Sequence, residues 1–582
     1  MSATTTNNPF STAGGRSTQR LFLLDYGAGN VRSLLNAVHS LGYEIEFITK
    51  ESDFDLADKI IFPGVGAFGY AIEAMKSKGF CEPLKNYIAS GRPLMGICVG
   101  MQVLFEGSDE APDVSGLGII PGRVRKFKDT NKAVPQIGWN SVSKIPQYTS
   151  ANGLTEDRHL SFSDGQRFYF VHSYAVPFTG NPELSDWAYT STRYRDEAFV
   201  SSIWKGNVFA TQFHPEKSGK AGVELLRSFI ESPFFSSEQG NLELPAKQKL
   251  QPSSFLQPDQ IPDGFTVRVI ACLDVRANDQ GDLVVTKGDQ YDVRESAEDG
   301  GNVRNLGKPV ELAERYYKEG ADEIAFLNIT SFRDIPFKDT PMLEVLKQAS
   351  RTIFVPLTIG GGVRDITDPT TGEKWLAKRV AGEYFRSGAD KVSIGSDAVY
   401  AAEEYWKNNK QCAGNTSIEQ IAESYGAQAV VISVDPRRVY VQSPEQTAHS
   451  TVKTKFPGPN GEQYCWYQCT VKGGREGRDL DVIQLVTACQ AIGAGEILLN
   501  CMDKDGTNSG YDHELIGSVK KAVQIPVIAS SGAGCPAHFS DVVEECGAEA
   551  VLAAGIFHRR EVPIADVKGH LTQKEIPVRP SP

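Results

Sequence analysis

No run of eighteen or more apolar residues occurs in this 582-residue chain, so no segment is suited to cross a membrane as a helix. Its ten cysteines lack the regular spacing of a disulfide framework. Cys465 and Cys469 are the closest pair, and no second pair or nearby histidine completes a zinc site with them. Thiols so scattered fit a reducing compartment. Positive charge is also short. The 60 Lys and Arg against 72 Asp and Glu leave −12 at pH 7, which argues against general affinity for nucleic acid or anionic membranes but not against a small anionic substrate. The first 24 residues contain no acid and only Arg16 and Arg20 as charges. Residues 1–19 read as a disordered tail of a cytoplasmic protein, with a plastid transit-peptide remnant as the alternative.

What is present is strand–helix alternation in two blocks. Residues 20–232 carry short apolar strands such as "RLFLLDYG", "KIIFPGVGAFG" and "RPLMGICVG", the pattern of an α/β domain with a largely parallel, doubly wound sheet. Residues 233–263 are polar and rich in Pro and Gln, without clear period, and read as a linker. Alternation resumes over 264–575 and is internally repeated. "GADEIAFLN" from Gly320 answers "GAGEILLN" from Gly493, Pro356 answers Pro526, "GADKVSIG" from Gly388 answers "GAEAVLAAG" from Gly547, and Asp274 answers Asp435. Four matches in one order, each half holding about four βα units, predict an eight-stranded (β/α) TIM barrel with an internal two-fold repeat.

Chemistry in such barrels sits at the carboxyl ends of the strands. Asp274 closes "VRVIACLD" and Asp435 closes "AVVISVD", on strands one and five, so the two carboxylates are expected to face each other across the mouth as a general acid and base. Either alone reads equally well as a helix cap; the quasi-symmetric pair favours catalysis. Gly-rich turns are paired likewise: "GGG" at 360–362 with "SIGS" at 393–396, and "SGAG" at 531–534 with "LAAG" at 552–555. Small residues at strand-to-helix turns let backbone N–H groups close on a phosphate. Two sets predict a long substrate with a phosphate at each end. The charged, glycine-bearing segment after strand one reads as a lid, and Lys287 within it can reach the substrate.

In the first block "GICVGMQ" (96–102) holds a cysteine between two glycines after an apolar strand. A lone cysteine is more often a core residue than a nucleophile. The small-x-Cys-x-small pattern between strand and helix is nevertheless that of a nucleophile elbow, where the helix N-terminus favours a thiolate. "QFHPE" supplies a base and its orienter, His214 and Glu216, two residues apart on one side of the chain. The glycine turn "PGVGAF" from Pro63 has N–H groups suited to an oxyanion hole.

This set resembles the class I (triad) glutamine amidotransferases. With the barrel, the whole of residues 20 to about 575 is similar to the fused imidazole glycerol phosphate synthases of histidine biosynthesis found in fungi and plants. The resemblance implies that Cys98 attacks the glutamine amide, His214 shuttles the proton and Glu216 orients His214. It implies an oxyanion loop at Gly64 and Gly66, and a glutamine pocket lined by Gln102, His172, Ser173 and Tyr174. In the barrel it implies Asp274 and Asp435 as the acid–base pair, with Lys287, Gly361, Gly362, Ser396, Asp505, Gly506, Gly532, Ala554 and Gly555 binding the bis-phosphorylated ribonucleotide. It makes Arg268, Glu323, Lys391 and Glu496, charges that open strands one, two, four and six, the gate of an ammonia tunnel. No cofactor or metal is called for, and a monomer carrying both activities is expected.

The sequence departs from bacterial barrels at "SSGAG", where those usually have "GGAG", and at Asn328, where they have Asp. An insertion from about Val439 to Gly474 has no bacterial counterpart and no function legible in its residues. An amidotransferase feeding another phosphorylated acceptor, or a non-catalytic glutamine-binding regulator, are the competing readings. The intact Cys98, His214 and Glu216 count against the regulator, and the paired phosphate turns against another acceptor.

Overall fold

The structure, a computed structural model, describes residues 19–27, 29–64, 66–128, 132–145, 160, 162–178, 182–232, 258–277, 283–285, 308–329, 340–367 and 372–581. The predicted tail up to residue 18, the linker up to residue 257 and Lys287 with most of its lid lie outside them.

Five parallel strands form the heart of the first block, in the order Glu46–Ile48, Leu21–Leu24, Lys59–Phe62, Leu94–Ile97 and Val208–Thr211. Four of them are buried along their whole length, as apolar runs covered by helices on both faces must be. The sheet is less parallel than its sequence predicts. Beyond Val208–Thr211 the pairing turns antiparallel, through Glu197–Lys205 and Ala188–Tyr194. The reason is local: only two residues join each of these strands to the next, with Gly206 and Arg195 at φ 59° and 56°, and so short a link makes a hairpin.

The second block closes as predicted. Its strands run Arg268–Ala277, Glu323–Asn328, Leu357–Gly360, Lys391–Ile394, Val430–Val434, Glu496–Asn500, Val527–Ser530 and Ala550–Ala553, all parallel, and the eighth pairs with the first. The first strand runs on past Asp274, because Val275–Ala277 pairs with Leu283–Val285 in a hairpin. Strand period two sorts each strand into an outer and an inner stripe. Val269, Ala271 and Leu273 join the core under the helices, while Ile270 and Cys272 point into the barrel with Ala325, Val431, Leu498, Ile528 and Leu552. Arg268 and Asp274 continue the inner stripe. One strand therefore carries a charge on the floor, apolar side chains in the middle and a carboxylate at the mouth.

The two blocks meet through a separate antiparallel pair, Gln136–Ser141 with Arg167–His172. Its faces divide cleanly: Phe168 and Phe170 enter the first core, whereas Ile137, Trp139 and Tyr169 enter the core of the barrel. Trp139 is 1% exposed, stacks edge-on against Tyr169, donates its indole N–H to Asp322 O and lies under the Arg579 guanidinium. Around it, Lys217 pairs with Asp390 at 2.7 Å and Asn36 donates to Ser350. Ile261 of the predicted linker and Phe265 just after it also pack here, buried in the first core. Trp139→Ala should remove about 3–5 kcal/mol of packing, seen as a lowered thermal midpoint, with Trp139→Phe between it and the parent. An unchanged midpoint would mean that the interface does not depend on this ring.

Candidate functional site

Cys98 sits at φ 52° and ψ −108°, between the buried strand Leu94–Ile97 and the short helix Val99–Gln102. The helix begins right after the thiol. A left-handed conformation at a non-glycine residue is strained and persists where packing enforces it. Here the glycines do so. A Cβ on Gly100 would stand 2.1 Å from Phe62 O, one on Gly96 2.7 Å from Gly100 O, and one on Gly64 2.2 Å from Gly100 N. The turn "PGVG" can thus lie directly against the elbow, which places Gly64 and Gly66 beside Cys98; Val65 lies outside the described residues.

His214 follows the strand Val208–Thr211, its backbone N–H donating to Tyr169 O and its carbonyl accepting from Ser218. Its Nδ1 donates to Glu216 Oε1 at 2.8 Å, both side chains being about 5% exposed. Burial alone favours the neutral ring, yet the Glu216 carboxylate and the Cys98 sulfur outweigh it and hold His214 well above the ordinary histidine range. An imidazole so placed takes a thiol proton readily, as a cysteine nucleophile requires. Gln102 donates to Tyr174 O and to Gln212 Oε1, and Gln212 Nε2 reaches Cys98 Sγ at 3.4 Å. His172 lies among Phe127, Phe170 and Phe199, donating to Tyr174 O; burial pushes it down to about 3, so it stays neutral. Ser173 accepts from Phe127 N through its carbonyl.

Behind the thiol a 30 Å³ cavity, room for a molecule the size of water or ammonia, is lined by Cys98, His214 and Gly64 at one end and by Asp390, Lys391 and Gln428 of the barrel at the other. Lys391 belongs to a closed ring. Its Nζ lies 2.6 Å from both Glu323 Oε1 and Glu496 Oε2, and Arg268 bonds Glu323 Oε2 at 2.6 Å and also Glu496. Thr358 donates a further hydrogen bond to Glu323. All four charges are at most 1% exposed, a burial that only full pairing makes tolerable.

Above the ring the apolar inner stripe leads to the mouth. Burial, then the nearby charges of Asp505 and Asp435, raise Asp274 to about 7. Asp435 is also raised by burial, but Asn500 Nδ2 donates to it at 2.9 Å and stabilises its charge. The two carboxyl groups therefore differ in the way an acid and a base must. The predicted phosphate turns end strands three, four, seven and eight: Gly361 and Gly362 at φ 106° and 76°, Ser396 opening the helix Ser396–Lys407, Gly532 at φ 99°, and Ala554 capping Gly555–His558. Asp505 and Gly506 follow strand six.

Four residues beside these groups escaped the sequence reading. Gln212, inside the quoted "QFHPE", bridges Gln102 and the thiol. Glu110, from a distant turn, accepts from Phe68 N at 2.7 Å where the PGVG loop enters its helix, and burial raises it. Tyr169 and Gln428 line the cavity between the two blocks. None has a local motif that marks it.

Two family models match the chain, glutamine amidotransferase class-I over residues 22–232 and histidine biosynthesis protein over residues 268–563. The chain is 55% identical over 560 residues to imidazole glycerol phosphate synthase hisHF of Schizosaccharomyces pombe, covering 96% of this chain and 99% of that protein. It is 52% identical to the chloroplastic hisHF of Arabidopsis thaliana, over 96% of this chain and 89% of the relative. The barrel alone is 39% identical to imidazole glycerol phosphate synthase subunit HisF of Haloarcula marismortui, matching 54% of this chain and 99% of that subunit. With a strained thiol, a buried charged ring and paired carboxylates joined in one molecule, this chain belongs to the imidazole glycerol phosphate synthase hisHF family, the fused glutaminase–cyclase enzymes of histidine biosynthesis.

Proposed function

We propose that Cys98, activated by His214 and oriented through Glu216, hydrolyses glutamine to glutamate and ammonia. The ammonia passes the ring of Arg268, Glu323, Lys391 and Glu496 and travels up the barrel axis. At the mouth it reacts with phosphoribulosyl-formimino-AICAR phosphate, and Asp274 and Asp435 exchange the protons that give imidazole glycerol phosphate and AICAR. Gly64 and Gly66 border the oxyanion site, with Gln102, His172, Ser173 and Tyr174 shaping the glutamine pocket. Gly361, Gly362 and Ser396 take one phosphate, Gly532, Ala554 and Gly555 the other, with Asp505, Gly506 and Lys287 between them. The observation that carries this reading is the single line from thiol through cavity, charged ring and apolar interior to two carboxylates.

Both activities reside in one chain, and we read it as a monomer with an amidotransferase domain over 20–232, a linker over 233–263 and a barrel over 264–575. Sedimentation at micromolar concentration tests the first point. No described helix is long and apolar enough to cross a membrane. A cytoplasmic location is our reading, supported by the scattered free thiols.

Cys98→Ala should abolish product formation from glutamine while sparing formation from added ammonium salts; loss of both in a folded variant overturns the division of labour. Asp274→Asn should lower cyclisation by about 10²–10⁴-fold with either nitrogen source, the usual loss for a general acid or base. Asp274 can donate only while protonated, so cyclisation at a fixed concentration of free ammonia should decline as pH rises through about 7. Asp505→Asn removes a charge that raises Asp274 and should move that decline to lower pH. Lys391→Ala should raise the ratio of glutamate released to imidazole product above one, with ammonium-dependent cyclisation largely kept. A ratio that stays at one removes the gate from the mechanism.

A further inference from the structure

The insertion that the sequence left without a role is a small antiparallel sheet seated on the barrel mouth. Its strands are Pro436–Val441, Thr451–Lys453, Tyr464–Val471 and Glu476–Asp481, with Tyr464–Val471 pairing with the other three. Cys465, Tyr467, Cys469 and Val471 bury one side of that strand in the barrel's core. The sheet then touches the proposed cyclase machinery at several points. Thr470 Oγ1 donates to Asp435 O at 2.6 Å, and Lys472 N donates to Ser396 Oγ at 2.9 Å.

The most heavily bonded of these contacts is Arg438, three residues after Asp435. Its backbone N–H donates to Asp503 Oδ2 at 2.8 Å. Its guanidinium, 3% exposed, donates from Nε and Nη2 to Asp512 Oδ2 at 3.0 and 2.6 Å, from Nη2 to Glu514 at 3.2 Å and from Nη1 to Thr454 at 2.8 Å. Asp512 also accepts from Tyr467, Cys501 and Leu515 N, so its carboxylate is saturated. Asp503 and Asp512 bracket the segment that carries Asp505. One arginine thus clips both ends of that segment to the strand end bearing Asp435. The same segment reaches the seventh-strand turn, where Gly510 N donates to Gly532 O and a Cβ on Gly532 would stand 2.3 Å from Gly510 O.

We propose that Arg438 is a positioning residue for cyclisation: held in the 436–481 sheet, it fixes residues 501–512, and with them Asp505, against Asp435 and Gly532. This rests on the function proposed above. It also gives the insertion a task, since a buried, charge-assisted and multiply bonded clip holds geometry more tightly than a free loop. The arginine touches no reacting atom in this arrangement and acts only through the segment it binds.

The test uses the full chain with Arg438→Met, Arg438→Lys and Asp503→Ala, assayed with the bis-phosphorylated ribonucleotide and ammonium salts, and for glutamine hydrolysis without the ribonucleotide. A small misplacement of a reacting group can cost up to about a hundredfold in rate, so Arg438→Met should lower the cyclisation kcat roughly ten- to a hundredfold. KM for the ribonucleotide should change less than kcat, and glutamine hydrolysis should not change. Arg438→Lys keeps the charge without the fork and should recover part of the loss. Asp503 is exposed, so Asp503→Ala leaves folding intact and should still reduce kcat several-fold by releasing one clip. Wild-type cyclisation kcat in folded Arg438→Met or in Asp503→Ala overturns the proposal, as does an equal loss of glutamine hydrolysis. If Arg438→Met fails to fold, Asp503→Ala decides alone. A parent chain that makes no product from ammonium salts would instead sink the functional reading itself.

Discussion

Four charges meet in the dry floor of the barrel, with the strained thiol below them and the paired carboxylates above. Arg268, Glu323, Lys391 and Glu496 are each out of water, and each is acceptable there because two opposite charges flank it. An isolated charge at this depth would seek water or neutralise. The closed ring lets the barrel carry a polar diaphragm where its neighbours above are Ile270, Val431 and Leu498. Below the ring lies the cavity that ends at Cys98, so the diaphragm stands between that cavity and the apolar shaft.

That geometry makes the interface part of the chemistry. The layer of Gln136–Ser141 and Arg167–His172 carries Tyr169, whose backbone holds His214 and whose ring lies against Trp139 in the barrel's core. The histidine beside the thiol is therefore anchored on the surface that docks the barrel. Close backbone approach does the rest. Glycines at 64, 96 and 100 let the elbow and the PGVG turn touch, and the strain at Cys98 is borne by the buried strand beneath it.

At the opposite end the same sorting by strand period brings Asp274 and Asp435 to the mouth. Their protonation differs because their neighbours differ: burial and two carboxylates press on Asp274, whereas Asn500 supports the charge of Asp435. The sheet over residues 436–481 adds contacts to Asp435, Ser396 and the Asp505 segment without joining the apolar inner stripe.

The sequence by itself determined the elements whose signals are local or periodic. Gly96 to Gly100 announce an elbow because nothing larger allows that turn, and His214 with Glu216 need only two residues of spacing. The internal repeat reveals a barrel because each βα unit repeats one pattern, and period two already implies that Arg268 and Asp274 share a stripe. Only the tertiary structure decided which charges pair. Arg268 and Glu496 stand 228 residues apart, and no spacing rule links them. The same holds for Glu110 against Phe68 N beside the PGVG turn, Gln212 beside the thiol and Arg438 between Asp503 and Asp512, whose contacts depend on partners that other elements deliver. The antiparallel half of the first sheet lay between the two: its short hairpin turns were in the sequence, but the overall alternation concealed them. Local chemistry is written in neighbouring residues, whereas pairing across the fold exists only once burial has brought distant side chains together and excluded the water that would otherwise satisfy them.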